Sequence, residues 1–203
     1  VNYPITLTSR GGKILGAAIA LVTLISFVIT IVTSPDQWFV VLGGHALIIS
    51  LCWALGWFPA VVIEQDAVTL RNILRSRRIP YAAIDEVNTR FGLALVVQGA
   101  SYSAWAAPAP GALYTMLRLD KKRIEHLPET TYELGTVRAG DDPNTESGVA
   151  ALHIRRALEE LEGRFNQDPT ALRDVDKLVT TQWHLTTIAT LVASAALLVA
   201  VLV

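Results

Sequence analysis

Three apolar stretches without a Lys, Arg, Asp or Glu constrain this chain more than anything else in it. They run Ile14–Val32, Phe39–Phe58 and Leu178–Val203. An α-helix needs about 20 apolar residues to cross ~30 Å of hydrocarbon. Core helices of soluble proteins rarely run that far without a charge, so each stretch is expected to span a membrane. The chain of 203 residues is 52% hydrophobic, and the excess sits in these blocks. Only Thr33–Trp38 separates the first two, and its Pro35-Asp36 pair predicts a tight turn, hence an antiparallel helical hairpin. A second span so close behind, with no small-residue cleavage site before it, argues against a signal peptide.

Orientation follows from the basic residues. Arg10 and Lys13 precede the first stretch; Arg71, Arg75, Arg77 and Arg78 follow the second; Arg164, Arg173 and Lys177 precede the third. The Thr33–Trp38 turn has no basic residue, and none follows the third stretch. The expectation is a multi-pass protein of the inner (plasma) membrane. Its N-terminus and polar segment are cytoplasmic and its C-terminus is external. Trp38, Trp57 and Trp183 lie near the ends of the stretches, where amphipathic rings favour the interface.

The period of the sequence changes after Pro59. Ala60–Gln65 and Val68–Asn72 read as a hairpin around Gln65-Asp66. Arg78–Tyr81 is extended because Pro80 biases Ile79 away from helix. Ile84–Thr89, Gly92–Val97 and Tyr102–Ala106 read as further strands, ended by Pro108-Ala-Pro-Gly111. Residues 112–144 are assigned little regular structure. Thr145-Glu146-Ser147 opens an amphipathic helix whose apolar face is Val149, Leu152, Ala157, Leu158 and Leu161. Val1–Gly12 reads as an irregular arm. The expected plan is therefore an arm and helical hairpin over 1–59, a cytoplasmic domain over 60–166 with an irregular insertion near 112–144, and a linker and third span over 167–203.

Little in the chain points to catalysis. There is no nucleophile elbow, phosphate-cradling glycine loop or HExxH motif. Asp141-Asp142 and Glu159-Glu160-Glu162 are explained by a turn and a solvated helix face. Cys52, the single cysteine, lies within the second span, so neither an intrachain disulfide nor a cysteine-built metal centre is available. A net charge of −1 gives no global field for nucleic acid. His45 and His184 invite a bis-histidine haem, but they sit at depths ~12 Å apart, too far for two axial ligands of one iron. The expectation is no enzyme, no cofactor and no metal.

Leu70-Arg71-Asn72, Arg75-Ser76-Arg77-Arg78-Ile79-Pro80-Tyr81 and Ala104-Trp105-Ala106-Ala107-Pro108 resemble motifs of the actinobacterial membrane-anchored pleckstrin-homology-like (PH-like) domain. The resemblance covers Val61–Pro110, about a quarter of the chain; Tyr81 stands where Trp is common. It implies an α+β membrane protein: three transmembrane helices with a cytoplasmic PH-like β-sheet domain plugged by a C-terminal amphipathic helix. Trp105 is then expected in the sheet core or against that helix.

Two sets of residues are candidates for binding. Arg71, Arg75, Arg77 and Arg78, with Lys121, Lys122 and Arg123, could meet anionic lipid headgroups or an acidic partner. Gly43, Gly44, His45, His184, Ala189 and Ala193 could pack helices, within the chain or against other membrane subunits. The favoured expectation is a non-enzymatic accessory or scaffolding subunit of a larger membrane complex. Small accessory proteins of actinobacterial respiratory cytochrome supercomplexes are similar in size and plan. The alternative is a membrane-surface sensor of anionic lipid that uses the Arg71–Arg78 cluster.

Overall fold

A computed structural model describes residues 3–110, 132–133, 136–137, 139–167 and 178–202. The chain forms two compact units. One comprises Val1–Thr8, Ala60–Asn72 and Ser76–Thr181; the other comprises Ser9–Pro59, Ile73–Arg75 and Gln182–Val203.

The first unit is α+β. Strands β1 (Ile5–Leu7), β2 (Ala60–Ile63), β3 (Ala67–Arg71) and β4 (Arg75–Pro80) are successive antiparallel neighbours. Strands β5 (Glu86–Asn88), β6 (Gly92–Val97) and β7 (Ala100–Pro108) form a second antiparallel sheet. A short pair, β8 (Tyr132–Glu133) with β9 (Thr136–Val137), lies in the insertion, where little regular structure is expected from sequence. The β2–β3 hairpin turns where the Gln65-Asp66 signal predicts, and the Glu64 N–H closes it on the Ala67 carbonyl at 2.9 Å.

Alternation builds the core. Val61, Ile63, Val68, Leu70 and Ile79 face inward from the first sheet, and Val87, Leu93, Leu95 and Val97 from the second. Each fully buried side chain of this size contributes ~1.5–3 kcal/mol. Helix α3 (Glu146–Gln167) adds Ala150, Ala151, Ile154 and Ala157 to the same core, with Leu158 and Leu161 partly buried against it. The face expected from sequence is therefore rotated: Val149 and Leu152 are only half-buried. Alanines occupy the contact because β7 is also lined by Ala104, Ala106 and Ala107, and small residues on both sides let a helix approach a sheet closely.

Thr145 caps α3 as its sequence predicts. Its Oγ1 accepts from the Gly148 N–H at 3.0 Å and donates to the Asp142 carbonyl at 2.8 Å. Arg155 then ties the helix to the second sheet. Its guanidinium donates to Asp141 Oδ1 at 2.8 Å and to the Val87 carbonyl at 3.2 Å.

The expected irregular arm is corrected by β1. Ile5, Thr6 and Leu7 pair with Ile63, Val62 and Val61, and Ile5 and Leu7 pack on the core.

The second unit is helical. Helix α1 (Arg10–Thr33) starts at Ser9, whose Oγ accepts from the Gly12 N–H at 3.0 Å. Helix α2 (Trp38–Gly56) packs against both α1 and α4 (Leu185–Leu202). Glycine sets the α2–α4 separation: a Cβ on Gly43 would come within 2.6 Å of the Leu198 backbone. Ser50 and Ser194 hydroxyls meet across the same interface at 2.9 Å. Helices α1 and α2 are long and apolar enough to cross a membrane. Their outer faces expose Ile14, Leu15, Val22, Ile29, Val32 and Phe39. Such a surface is foreign to water.

The third apolar stretch is shorter as a helix than its sequence predicts. Thr180–Trp183 is a strand (β10), so α4 has 18 residues. The His184 N–H donates to the Leu74 carbonyl at 2.9 Å, and the Arg75 guanidinium lies 5.5 Å from the Trp183 ring. Backbone pairing thus claims residues that hydropathy alone assigns to a helix.

Candidate functional site

The basic strand β4 does not present a single patch. In the β3–β4 register Thr69 faces Arg78 and Arg71 faces Ser76, while Leu70 faces Arg77 and Val68 faces Ile79. Directly paired residues share a face of an antiparallel sheet. Arg71 and Arg78 therefore lie on the outer face, and Arg77 on the face of the buried Leu70 and Ile79.

Each arginine has its own partner. Arg78 Nε donates to Glu64 Oε2 at 3.1 Å, and a terminal nitrogen donates to Asp66 Oδ2. The Asp66 hydrogen bond raises the Arg78 pKa above its ordinary value, burial opposing and Glu64 assisting. Two turn carboxylates thus already balance this cation. The Arg77 guanidinium sits 4.7 Å from the centroid of the Tyr102 ring. Arg75, in the helical unit, stacks on Trp183. Lys121, Lys122 and Arg123 lie outside the described residues.

Tyr81 braces the carboxylate turn from behind. Its hydroxyl donates to the Glu64 carbonyl at 3.1 Å, and its N–H to the Asp66 carbonyl at 3.1 Å. Burial pushes the phenol pKa well above the usual value.

Trp105 is corrected from the core to the surface, where it is 59% exposed. Strand parity explains this. Tyr102, Ala104 and Ala106 point inward, so Trp105 falls on the outward side. Its backbone is fixed by Asn72, whose Oδ1 accepts from the Trp105 N–H at 3.0 Å while its Nδ2 donates to the Ser103 carbonyl at 2.8 Å. Phe91, at the β5–β6 turn, is 87% exposed with Arg90 over its ring at 5.2 Å. Asn72 stands in the sequence only as part of the Leu70-Arg71-Asn72 motif, with no role of its own; its signal is an amide just past the end of β3, where the connection to β4 begins.

In the helical unit the six packing candidates divide. Gly43 is spent against Leu198, and Gly44 lies beside the Leu198 side chain. His45 packs on Phe27 of α1, with ring centroids 5.2 Å apart. His184 meets Phe58 edge-on at 4.7 Å. The two histidines thus have separate aromatic neighbours. Ala189 and Ala193, by contrast, are exposed.

Those two alanines belong to a longer row. Thr186, Ala189, Ala193, Ala196 and Ala200 recur in steps of three and four and are all exposed. Thr187, Leu191, Ser194 and Leu198 lie on the other side of α4, where Ser194 and Leu198 meet α2. Among the described residues no group of three or more metal-ligating side chains converges.

No curated protein and no solved structure matches the chain. PH domains are generally non-catalytic, and residues 58–153, from just after α2 into α3, match the family model of the bacterial PH domain.

Proposed function

We propose that this chain is a non-enzymatic, membrane-anchored interaction protein that serves as an accessory subunit of a larger membrane complex. In this reading α4 crosses the bilayer beside α1 and α2, the PH-like domain is cytoplasmic, and α3 plugs its sheets. An actinobacterial respiratory cytochrome assembly is the kind of complex that accessory proteins of this size and plan accompany.

The observation that carries the reading is the outer row of α4. A helix face meant only for lipid is covered by large apolar side chains, as on α1, where Ile14, Leu15, Val22, Ile29 and Val32 are exposed. Beside the exposed Leu185, Val192 and Val199, the α4 face turned away from α2 carries a continuous row of alanine and threonine. Lipid tails are as apolar as leucine, so helices associate in membranes through close packing, and small residues permit it. The row is the shape another helix requires.

The lipid-sensor reading has less support. A headgroup site needs cations that converge, whereas Arg78 is held by Glu64 and Asp66, and Arg77 faces away from Arg71.

Site-specific photocrosslinking from position 193 of the full-length chain in native membranes tests the proposal. Adducts with another membrane protein support it. Adducts with lipid alone contradict it.

A further inference from the structure

Six hydroxyls within the apolar helices are satisfied by their own helix. Thr23, Thr30, Thr33, Ser50, Thr190 and Ser194 each donate to the carbonyl four residues earlier. One hydroxyl proton needs one acceptor, so these side chains need nothing from outside their own helix. His45 follows the same pattern with half of its ring. Its Nδ1 lies 2.7 Å from the Val41 carbonyl. A carbonyl only accepts, so Nδ1 carries the proton and the neutral ring is left with an acceptor lone pair on Nε2.

Nε2 has no hydrogen-bond partner among the described residues, and it is not sealed inside the unit as the Thr187 hydroxyl is. The ring is half-buried and leans on Phe27 of α1. His45 is the eighth residue of α2, ~10 Å along the helix from Trp38 at 1.5 Å per residue. At that depth the hydrocarbon offers no donor, and an unmatched polar group there is unfavourable.

Resting on the accessory-subunit reading, we infer that His45 Nε2 accepts a hydrogen bond from a donor side chain on a transmembrane helix of the partner complex. The donor carries a hydroxyl, amide or indole N–H and docks where α2 meets α1. The Val41 carbonyl fixes the tautomer, and Phe27 supports the ring, so the lone pair is held in one direction before the partner arrives. The site is distinct from the α4 row, since Gly43, Ser50 and Leu198 mark the α4 side of α2 while Phe27 marks its α1 side.

The test is co-purification of the tagged full-length chain from native membranes in mild detergent, comparing wild type with His45→Phe. Phenylalanine keeps the aromatic contact with Phe27 and removes the lone pair. The expected result is an unchanged amount of the chain in the membrane and about three- to thirtyfold less partner recovered with it, the range of interhelical hydrogen bonds in membranes. Equal partner recovery from both overturns the inference and leaves the accessory-subunit reading standing. A wild-type chain that emerges alone overturns both. Should His45→Phe fail to accumulate, the imidazole 15N shift of His45 in the wild-type complex decides. A hydrogen-bonded Nε2 supports the inference, and a free Nε2 lone pair refutes it.

Discussion

Asn72 stands in for a strand along the edge of β7. Its side-chain amide accepts from the Trp105 N–H at 3.0 Å and donates to the Ser103 carbonyl at 2.8 Å, the pattern a neighbouring backbone would make. This joins the end of β3 to a strand of the other sheet and sets Trp105 on the surface. Asn72→Ala is expected to destabilise the domain by ~1–2 kcal/mol, as two hydrogen bonds are lost. Asn72→Asp, which keeps the acceptor and loses the donor, should fall between. Denaturant unfolding followed by tryptophan emission measures both.

Arg155 is the internal tie of α3. Its partner Asp141 is almost fully buried, so Arg155→Ala leaves a carboxylate without its cation, at a cost of ~3–5 kcal/mol. Arg155→Met combined with Asp141→Asn should recover much of that loss. A double-mutant cycle on thermal unfolding tests the coupling. Additive losses would show that the pair is not coupled.

Gly148 and Gly43 are among the glycines where close approach leaves no room for a side chain. A Cβ on Gly148 would overlap the Asp142 carbonyl at the start of α3, and one on Gly43 would meet the Leu198 backbone at 2.6 Å. Gly148→Ala is expected to abolish the cap and unfold the PH-like domain, visible as loss of protease resistance. Gly43→Leu should force α2 and α4 apart, read as loss of crosslinking between cysteines introduced at Ser50 and Ser194.

Alkaline pH should unfold the domain through Tyr81. Burial raises its folded pKa above the ordinary 10.0, so the folded state holds this proton where the unfolded state releases it. The stability tied to Tyr81 is complete below pH 10 and falls as pH rises above that value. Tyr81→Phe removes the hydrogen bond to the Glu64 carbonyl and should flatten the alkaline limb relative to wild type. Stability profiles between pH 8 and 11 that run parallel for both proteins would show that Tyr81 is not the group responsible.

The readable parts of this chain were those in which one residue pattern settles one element. Uninterrupted apolar runs gave α1 and α2, and the alternation of Gly92–Val97 gave β6 within its own bounds. What stayed hidden depends on pairing across long sequence distances. Ile5–Leu7 is too short to announce itself and becomes a strand because Val61–Ile63 lies beside it. Thr180–Trp183 hides at the head of an apolar run. Trp105 misleads by its size, since parity rather than hydrophobicity decides which side of β7 it takes. The arginines illustrate the same limit for the site. Their spacing is visible in sequence, but Glu64 and Asp66 come beside Arg78 only through the β2–β3 turn and the β4 register.

The central claim is that the outer face of α4 belongs to another protein. The most direct measurement is quantitative mass spectrometry of what co-purifies with the tagged full-length chain from native membranes, wild type beside Ala189→Leu/Ala193→Leu. The account predicts a stoichiometric set of membrane subunits with wild type and their loss with the double variant, the chain itself still inserted. A wild-type chain recovered alone with anionic phospholipid, or a double variant that keeps every subunit, would contradict it.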